Sequence, residues 1–329
     1  MFRIDLALKR GFRSGRMGAL RSVVAAATLL GGAGAACAAE VIVGLTAWPS
    51  AQVTGHIIGE LAAEKFGDTP VFLERGSVGL LTAIAKGEAD IYPELWSPNL
   101  DAAVQRVGGS LTISPRSVAG HQGICATSAA VRQTGIRSVA DLTKPEIAAA
   151  FDTDDDGRGE LWIGDGSWFS SNVERVRARS IGYDQTMQLL EGAEAVAMAA
   201  VDAGSALDRP VVFYCYSPHH VFVLHDIVVL EEPAYDAARW SIVAPADDKD
   251  WLAHSRAETG WDKSSLSIAF ATRLTTERPE LAEMLARMQF EPGDIAAMSY
   301  AVEVDGKSPE AAAEEWLAAN RARVEGWFK

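Results

Sequence analysis

The sequence predicts an α/β protein of two β/α lobes with a ligand cleft between them, and three observations carry that prediction. Short apolar strands alternate with helices from residue 41 to residue 92, the signature of a parallel sheet with helices on its faces. The alternation restarts after Gly120 and returns to the first set after about residue 223. No Pro/Gly/Ser-rich linker divides the chain, which disfavours two consecutive independent domains. The expected division is a leader at 1–39, a first lobe at 40–122 plus 224–329, and a second lobe at 123–223.

The leader comes first. Arg3, Lys9, Arg10, Arg13, Arg16 and Arg21 precede the uncharged apolar run from Val23 to Ala36, which ends in Ala36-Cys37-Ala38. Basic, apolar and small-residue regions in that order predict a secretory signal and a periplasmic mature protein. Cys37 also allows a lipoprotein anchor, although the position three residues before it is Gly34 instead of the usual leucine. No later stretch approaches the ~20 apolar residues of a membrane span.

In the mature chain, Val41–Trp48 reads as a strand and turn, Gln52–Lys65 as a helix and Val71–Glu74 as a strand. Ser77 opens a helix to about Ala85, closed by Gly87, and Ala89–Tyr92 is the next strand. After the restart come a strand at Gln122–Ala126, helices before Gly135 and after Ser138, and helical residues Glu146–Ala150. An acidic loop, Asp152–Glu160, leads into Leu161–Val176, a strand, a Gly-rich turn and a helix that Ser170, Ser171 or Asn172 would cap. A helix at Asp184–Ala203 and strands at Val211–Tyr214 and Ile227–Leu230 follow. The segment Glu231–Trp261 is irregular. A last strand at Leu266–Ala271 precedes helices near Pro279–Met288, Ile295–Val302 and Pro309–Val324.

Charge narrows the partners. Once the leader's six basic and one acidic residues are set aside, the 30 Lys+Arg and 44 Asp+Glu of the chain become 24 and 43, a net charge of −19. Such a surface repels nucleic acid and anionic membranes. It suits a cationic or zwitterionic small molecule, although solubility explains it equally well. Cys125 and Cys215 are expected as two buried thiols, with a disulfide permitted by the compartment.

Trp48, Trp96, Trp168 and Tyr216 each follow a predicted strand, where ligands of open α/β sheets sit. Aromatic faces around a quaternary ammonium would supply repeated cation–π contacts, whereas the alternative makes all four packing residues at loop bases. The helix start beyond Trp168 would turn the backbone N–H groups of Phe169 and Ser170 towards an anion. Glu94 would add attraction for a cation if it faces the cleft; Asn99 and His219 are candidate donors to a carboxylate.

Asp152, Asp154, Asp156, Gly157 and Glu160 follow a calcium-loop spacing, but Ile163 occupies the position of the closing glutamate. An acidic turn bonded to its own backbone is therefore expected, with calcium the weaker reading. His219, His220 and His225 do not have zinc-site spacing. No nucleophile motif, GxGxxG or P-loop is present, so no cofactor and no enzyme activity are expected. An exported enzyme with a metal at those histidines is the rival class, and a sensory binding domain of the same fold is another.

The segments ADIYPELWSP, FDTDDDGRGELWIGDGSW and VVFYCYSPHH, together with the leader and the two-lobed plan, resemble glycine betaine/proline substrate-binding proteins of ABC transporters. The likeness covers essentially the whole mature chain. It implies the type II periplasmic-binding-protein fold, an inter-lobe aromatic cage at Trp96, Trp168 and Tyr216, and delivery of the ligand by a monomer to an ABC permease. Tyr216 replaces a family tryptophan. Leu100 stands where one branch of the family has a carboxylate-binding histidine, so the cation site is better matched than the anion site. Glycine betaine, proline, proline betaine and choline all remain open as ligands.

Overall fold

The computed structural model describes residues 39–329; the leader up to residue 38, Cys37 included, lies outside the described residues. The strands are β1 (Glu40–Leu45), β2 (Thr69–Glu74), β3 (Ile91–Ser97), β4 (Leu111–Thr127), β5 (Gly159–Trp162) and β6 (Met187–Leu190). They continue with β7 (Val212–Ser217), β8 (Ile227–Val229), β9 (Trp240–Ser241), β10 (Arg256–Ala257) and β11 (Ser264–Ala271). Nine form one sheet in the order β2-β1-β3-β11-β4-β7-β5-β6, with β8 beside β4, while β9 and β10 pair separately.

β4 joins the two halves. Leu111–Gly120 of this 17-residue strand pairs with β11, and His121–Ala126 pairs with β7. Sequence reading expects only its second half, because Pro115 and the polar residues around it look like a loop. The register between β4 and β11 shifts opposite Pro115, so a bulge absorbs the residue that cannot join the ladder. Gly120, at the crossing, has no room for a side chain. A Cβ there would lie 2.8 Å from the Trp96 ring and 3.0 Å from the Ser217 carbonyl oxygen.

β1, β2 and β3 are mutually parallel, and β11 returns antiparallel between β3 and β4. The helix Pro49–Phe66 buries Ile57, Ile58, Leu61 and Ala62 against this half. In the other half, β5 is parallel to both β6 and β7. Residues 187–190 are strand β6, where sequence reading expects a helix over Asp184–Ala203; that helix starts only at Glu194. Pairing of Glu160 with Gln188 decides it, a non-local bond that outweighs local helix propensity.

The return to the first half comes later than residue 224. β8 pairs with Cys125–Thr127 of β4, and Ala257 N–H donates to Ser180 Oγ on the helix Phe169–Ile181. Only β11 rejoins the first strands. Cys125 and Cys215, on adjacent strands, form a disulfide where sequence reading favours free thiols. Among the described residues, no helix is long and apolar enough to cross a membrane.

Candidate functional site

A small cavity lies against both halves of the sheet. Seven of the residues singled out from sequence line it: Trp48, Trp96, Asn99, Trp168, Phe169, Ser170 and Tyr216. Trp96 and Tyr216 sit inside the last turns of pleat in β3 and β7, rather than beyond them, because both strands run further than expected. Trp48 and Trp168 are the extended residues that precede the helices Pro49–Phe66 and Phe169–Ile181.

The four rings meet at nearly right angles. The centroids of Trp48 and Trp168 are 6.0 Å apart with planes at 90°, and those of Trp168 and Tyr216 are 5.8 Å apart at 82°. Trp96 and Tyr216 are 5.6 Å apart, also at 82°. Edge-to-face contacts of this kind are favourable in themselves and hold the rings as the corners of a box. The rings are all less than a tenth exposed. The two halves also touch at the rim, where Ser77 N–H donates to the Ser167 carbonyl at 3.3 Å.

Trp168 is the N-cap, so the helix begins at Phe169, earlier than the Ser170–Asn172 caps expected from sequence, and no side chain caps it. Ser171 Oγ instead donates to the Asp165 carbonyl at 2.7 Å. The first helical N–H groups, at Phe169 and Ser170, thus stand uncapped beside the cage.

The cavity is also lined by a polar network that sequence reading missed in part. Asn99 and Gln122 exchange amide hydrogen bonds of 2.7 and 2.8 Å. The Gln122 amide also donates to Ser264 Oγ, and Tyr214 O–H donates to Gln122 Oε1, each at 2.8 Å. Burial raises the Tyr214 phenol, so it stays a neutral donor. Gln122, Tyr214, Ser77 and Leu100 join the lining. Gln122 and Tyr214 lie within strands, where ordinary polar or aromatic residues give no signal.

Two expected contacts are corrected. Glu94 does not face the cavity; it is fully buried and accepts from Trp48 Nε1 at 2.7 Å, Ser50 Oγ at 3.0 Å and Thr54 Oγ1 at 3.2 Å. Glu94 and Trp96 share a strand face two residues apart, which puts the carboxylate one pleat deeper. Its pKa is pushed up to about 7, by burial first and against the three hydrogen bonds. His219 is buried behind Tyr216, ring centroids 4.9 Å apart, with Nε2 3.2 Å from Glu194 Oε1.

The other candidates separate from the cage. His220 Nδ1 meets Ser299 Oγ at 2.6 Å, and burial lowers its pKa to about 3. His225 meets Asp202 at 2.5 Å, so the three histidines have three different partners. Asp152, Asp154 and Asp156 bring oxygens within 4.8 Å of one another. Each also accepts a backbone N–H inside the loop, from Gly157, Asp156 and Arg158, and Glu160 accepts from Thr153 N–H. That is the self-bonded acidic turn.

Known proteins share this plan. The glycine betaine/proline betaine-binding periplasmic protein of Salmonella typhimurium is 24% identical over 259 residues, covering 75% of this chain and 76% of that protein. The trimethylamine N-oxide-binding protein of Pelagibacter ubique is 24% identical over 292 residues, covering 84% and 86%. Lactococcal OpuAC, in its closed form with glycine betaine, superposes with a TM-score of 0.67 at 17% identity, over 88% of this chain and all of that one. A choline-binding protein of an ABC transporter, with choline, gives 0.68 at 16% over 88% and 91%. The architecture is the type II periplasmic-binding-protein fold. Residues 39–319 match the substrate-binding domain of ABC-type glycine betaine transport systems, and the chain belongs to that family.

Proposed function

We propose that this protein captures glycine betaine or a related quaternary amine in the box formed by Trp48, Trp96, Trp168 and Tyr216. It then delivers the ligand to an ABC permease. The observation that carries the reading is the perpendicular packing of four aromatic rings, drawn from both halves of the sheet, around one small cavity. A quaternary ammonium offers no N–H donors and needs none from the box; its charge is met by π faces. A carboxylate, where the ligand has one, meets the N–H groups of Phe169 and Ser170, with Asn99 and Gln122 lining the same cavity. The relatives that hold glycine betaine or choline support this ligand class.

Because the rings come from both halves, ligand favours the closed arrangement, and the closed form is the one that docks on the permease. The protein acts as a monomer in the periplasm, exported by residues 1–39, with a first lobe built mainly from 40–120 and the chain after 262. Calorimetric titration with glycine betaine and choline tests the cage. Desolvated cation–π contacts reach about 2 kcal/mol each, so Trp96→Ala and Trp168→Ala should each weaken binding at least tenfold. Unchanged affinity for both ligands would sink the reading.

A further inference from the structure

Behind the cage stand two carboxylates that the box itself does not use. We propose that Glu94 and Glu194, hydrogen-bonded to the outer edges of Trp48 and Tyr216, are the counter-charges for the ligand's ammonium group and make the box select a charged head over a neutral one of the same shape. The inference rests on the quaternary-amine reading above.

The geometry is paired across the site. Trp48 Nε1 donates to Glu94 Oε2 at 2.7 Å, and Tyr216 O–H donates to Glu194 Oε1 at 2.7 Å. Glu94 lies on β3 and Glu194 at the start of the helix Glu194–Ala206, so each half of the sheet contributes one. Their exposures are 0% and 4%. Among the described residues, neither has a lysine or arginine at ion-pair distance. All three donors to Glu94 are neutral.

His219 makes no hydrogen bond to Glu194. Its Nδ1 accepts the Val221 N–H at 3.2 Å. Its Nε2 is close to Glu194 Oε1 but is not aligned for a hydrogen bond, and Glu194 Oε2 is buried without any partner. A buried carboxylate without an opposite charge is costly. Two of them, one ring away from the same cavity, leave a deficit that a cation in the cavity fills. A carboxylate on the N–H or O–H edge also makes the ring face more negative, which strengthens an interaction that is electrostatic in origin. The rise of the Glu94 pKa by burial agrees with a charge that lacks its partner in the ligand-free protein.

The test compares choline with dimethylbutanol, its uncharged isostere with carbon in place of nitrogen, by calorimetric titration of the wild type, Glu94→Gln and Glu194→Gln. Glutamine keeps the size and one acceptor oxygen, enough for Trp48 Nε1 or Tyr216 O–H, and removes the charge; at Glu94 the Thr54 hydroxyl, which can also accept, turns to the new NH2. The wild type should prefer choline by tenfold or more, and each variant should lose about tenfold in choline affinity with less than about a twofold change for the isostere. Equal loss for both ligands would make the carboxylates packing and orienting groups only, and an unchanged ratio would also overturn the inference. If Trp96→Ala abolishes choline binding while the glutamine variants keep the wild-type ratio, the cage stands and the charge inference fails. If the wild type binds no quaternary amine, the functional reading fails and takes the inference with it.

Discussion

Buried carboxylates stand in two places, behind the cage and along the helix Phe169–Ile181, and the chain treats them differently. In the middle of the helix, Glu174 accepts from Trp261 Nε1 at 2.7 Å, the same indole-to-carboxylate bond that joins Trp48 to Glu94. There, however, a guanidinium completes the group. Arg177, itself fully buried, donates to Glu174 at 2.6 Å, to Glu232 at 2.5 Å and to the Thr259 carbonyl at 3.2 Å. Behind the cage the indole bond is kept and the guanidinium is missing. Where the carboxylates tie the segment Glu231–Trp261 to the second half, the chain supplies the cation. Where they back the cavity, the chain leaves the cation to come from outside.

Breaking the completed cluster should have the largest effect. Arg177→Met leaves Glu174 and Glu232 buried against each other, a defect of about 3–5 kcal/mol. Scanning calorimetry should show a fall in Tm of roughly 6–15 °C. Adding Glu174→Gln and Glu232→Gln to that variant should recover much of the loss. A small loss in the single variant would mean that the cluster does not tie the segment Glu231–Trp261 to the second half.

The incomplete cluster should show its character through pH. Burial raises Glu94 from 4.5 in the unfolded chain to about 7 in the folded one. Its contribution to stability is therefore fully present below pH ~4.5 and is lost as pH rises through ~7. The groups that face it are Trp48, Ser50, Thr54, Tyr92, Tyr216 and Glu194, none of them cationic. In ligand-free protein, the wild type should lose roughly 2–3 kcal/mol relative to Glu94→Gln between about pH 5 and pH 8. Saturating choline should shrink that difference, because the ligand favours the ionised carboxylate. Parallel pH profiles for the two proteins would show that Glu94 does not titrate in this window.

The contrast between the two clusters also marks what could be read from the chain alone. The ring positions were legible because large aromatics beside Ser-Pro-Asn, Gly-Asp-Gly-Ser and Ser-Pro turns (Trp96, Trp168 and Tyr216) stand out from residues that pack within elements. The parallel β/α units were legible for the same reason, since their periodicity is local. The pairings were not. The first half of β4 and all of β6 exist through partners more than 20 residues away, β11 and β5, which local propensity does not register. Glu194 was hidden in particular, because a single helix over Asp184–Ala203 puts it in mid-helix instead of at a helix start behind Tyr216. Arg177, Glu174 and Glu232 look like ordinary solvated charges until the return segment is seen to cover them.

The smallest effect is the most discriminating. Glu232→Gln removes one carboxylate from the completed cluster while Arg177 keeps Glu174, so the stability loss should be about 1 kcal/mol. The change in formal charge is the same as in Glu94→Gln. If selection for an ammonium group comes from carboxylates in contact with the cage rings, the choline-to-dimethylbutanol ratio of Glu232→Gln should stay within about twofold of wild type. Should it fall about tenfold, as expected for Glu94→Gln, the preference would belong to the overall negative charge of the protein and not to the two carboxylates behind Trp48 and Tyr216. The same measurement in ~1 M salt separates the causes further: a diffuse field is then screened beyond ~3 Å of solvent, whereas a buried carboxylate one ring away from the ligand is screened much less.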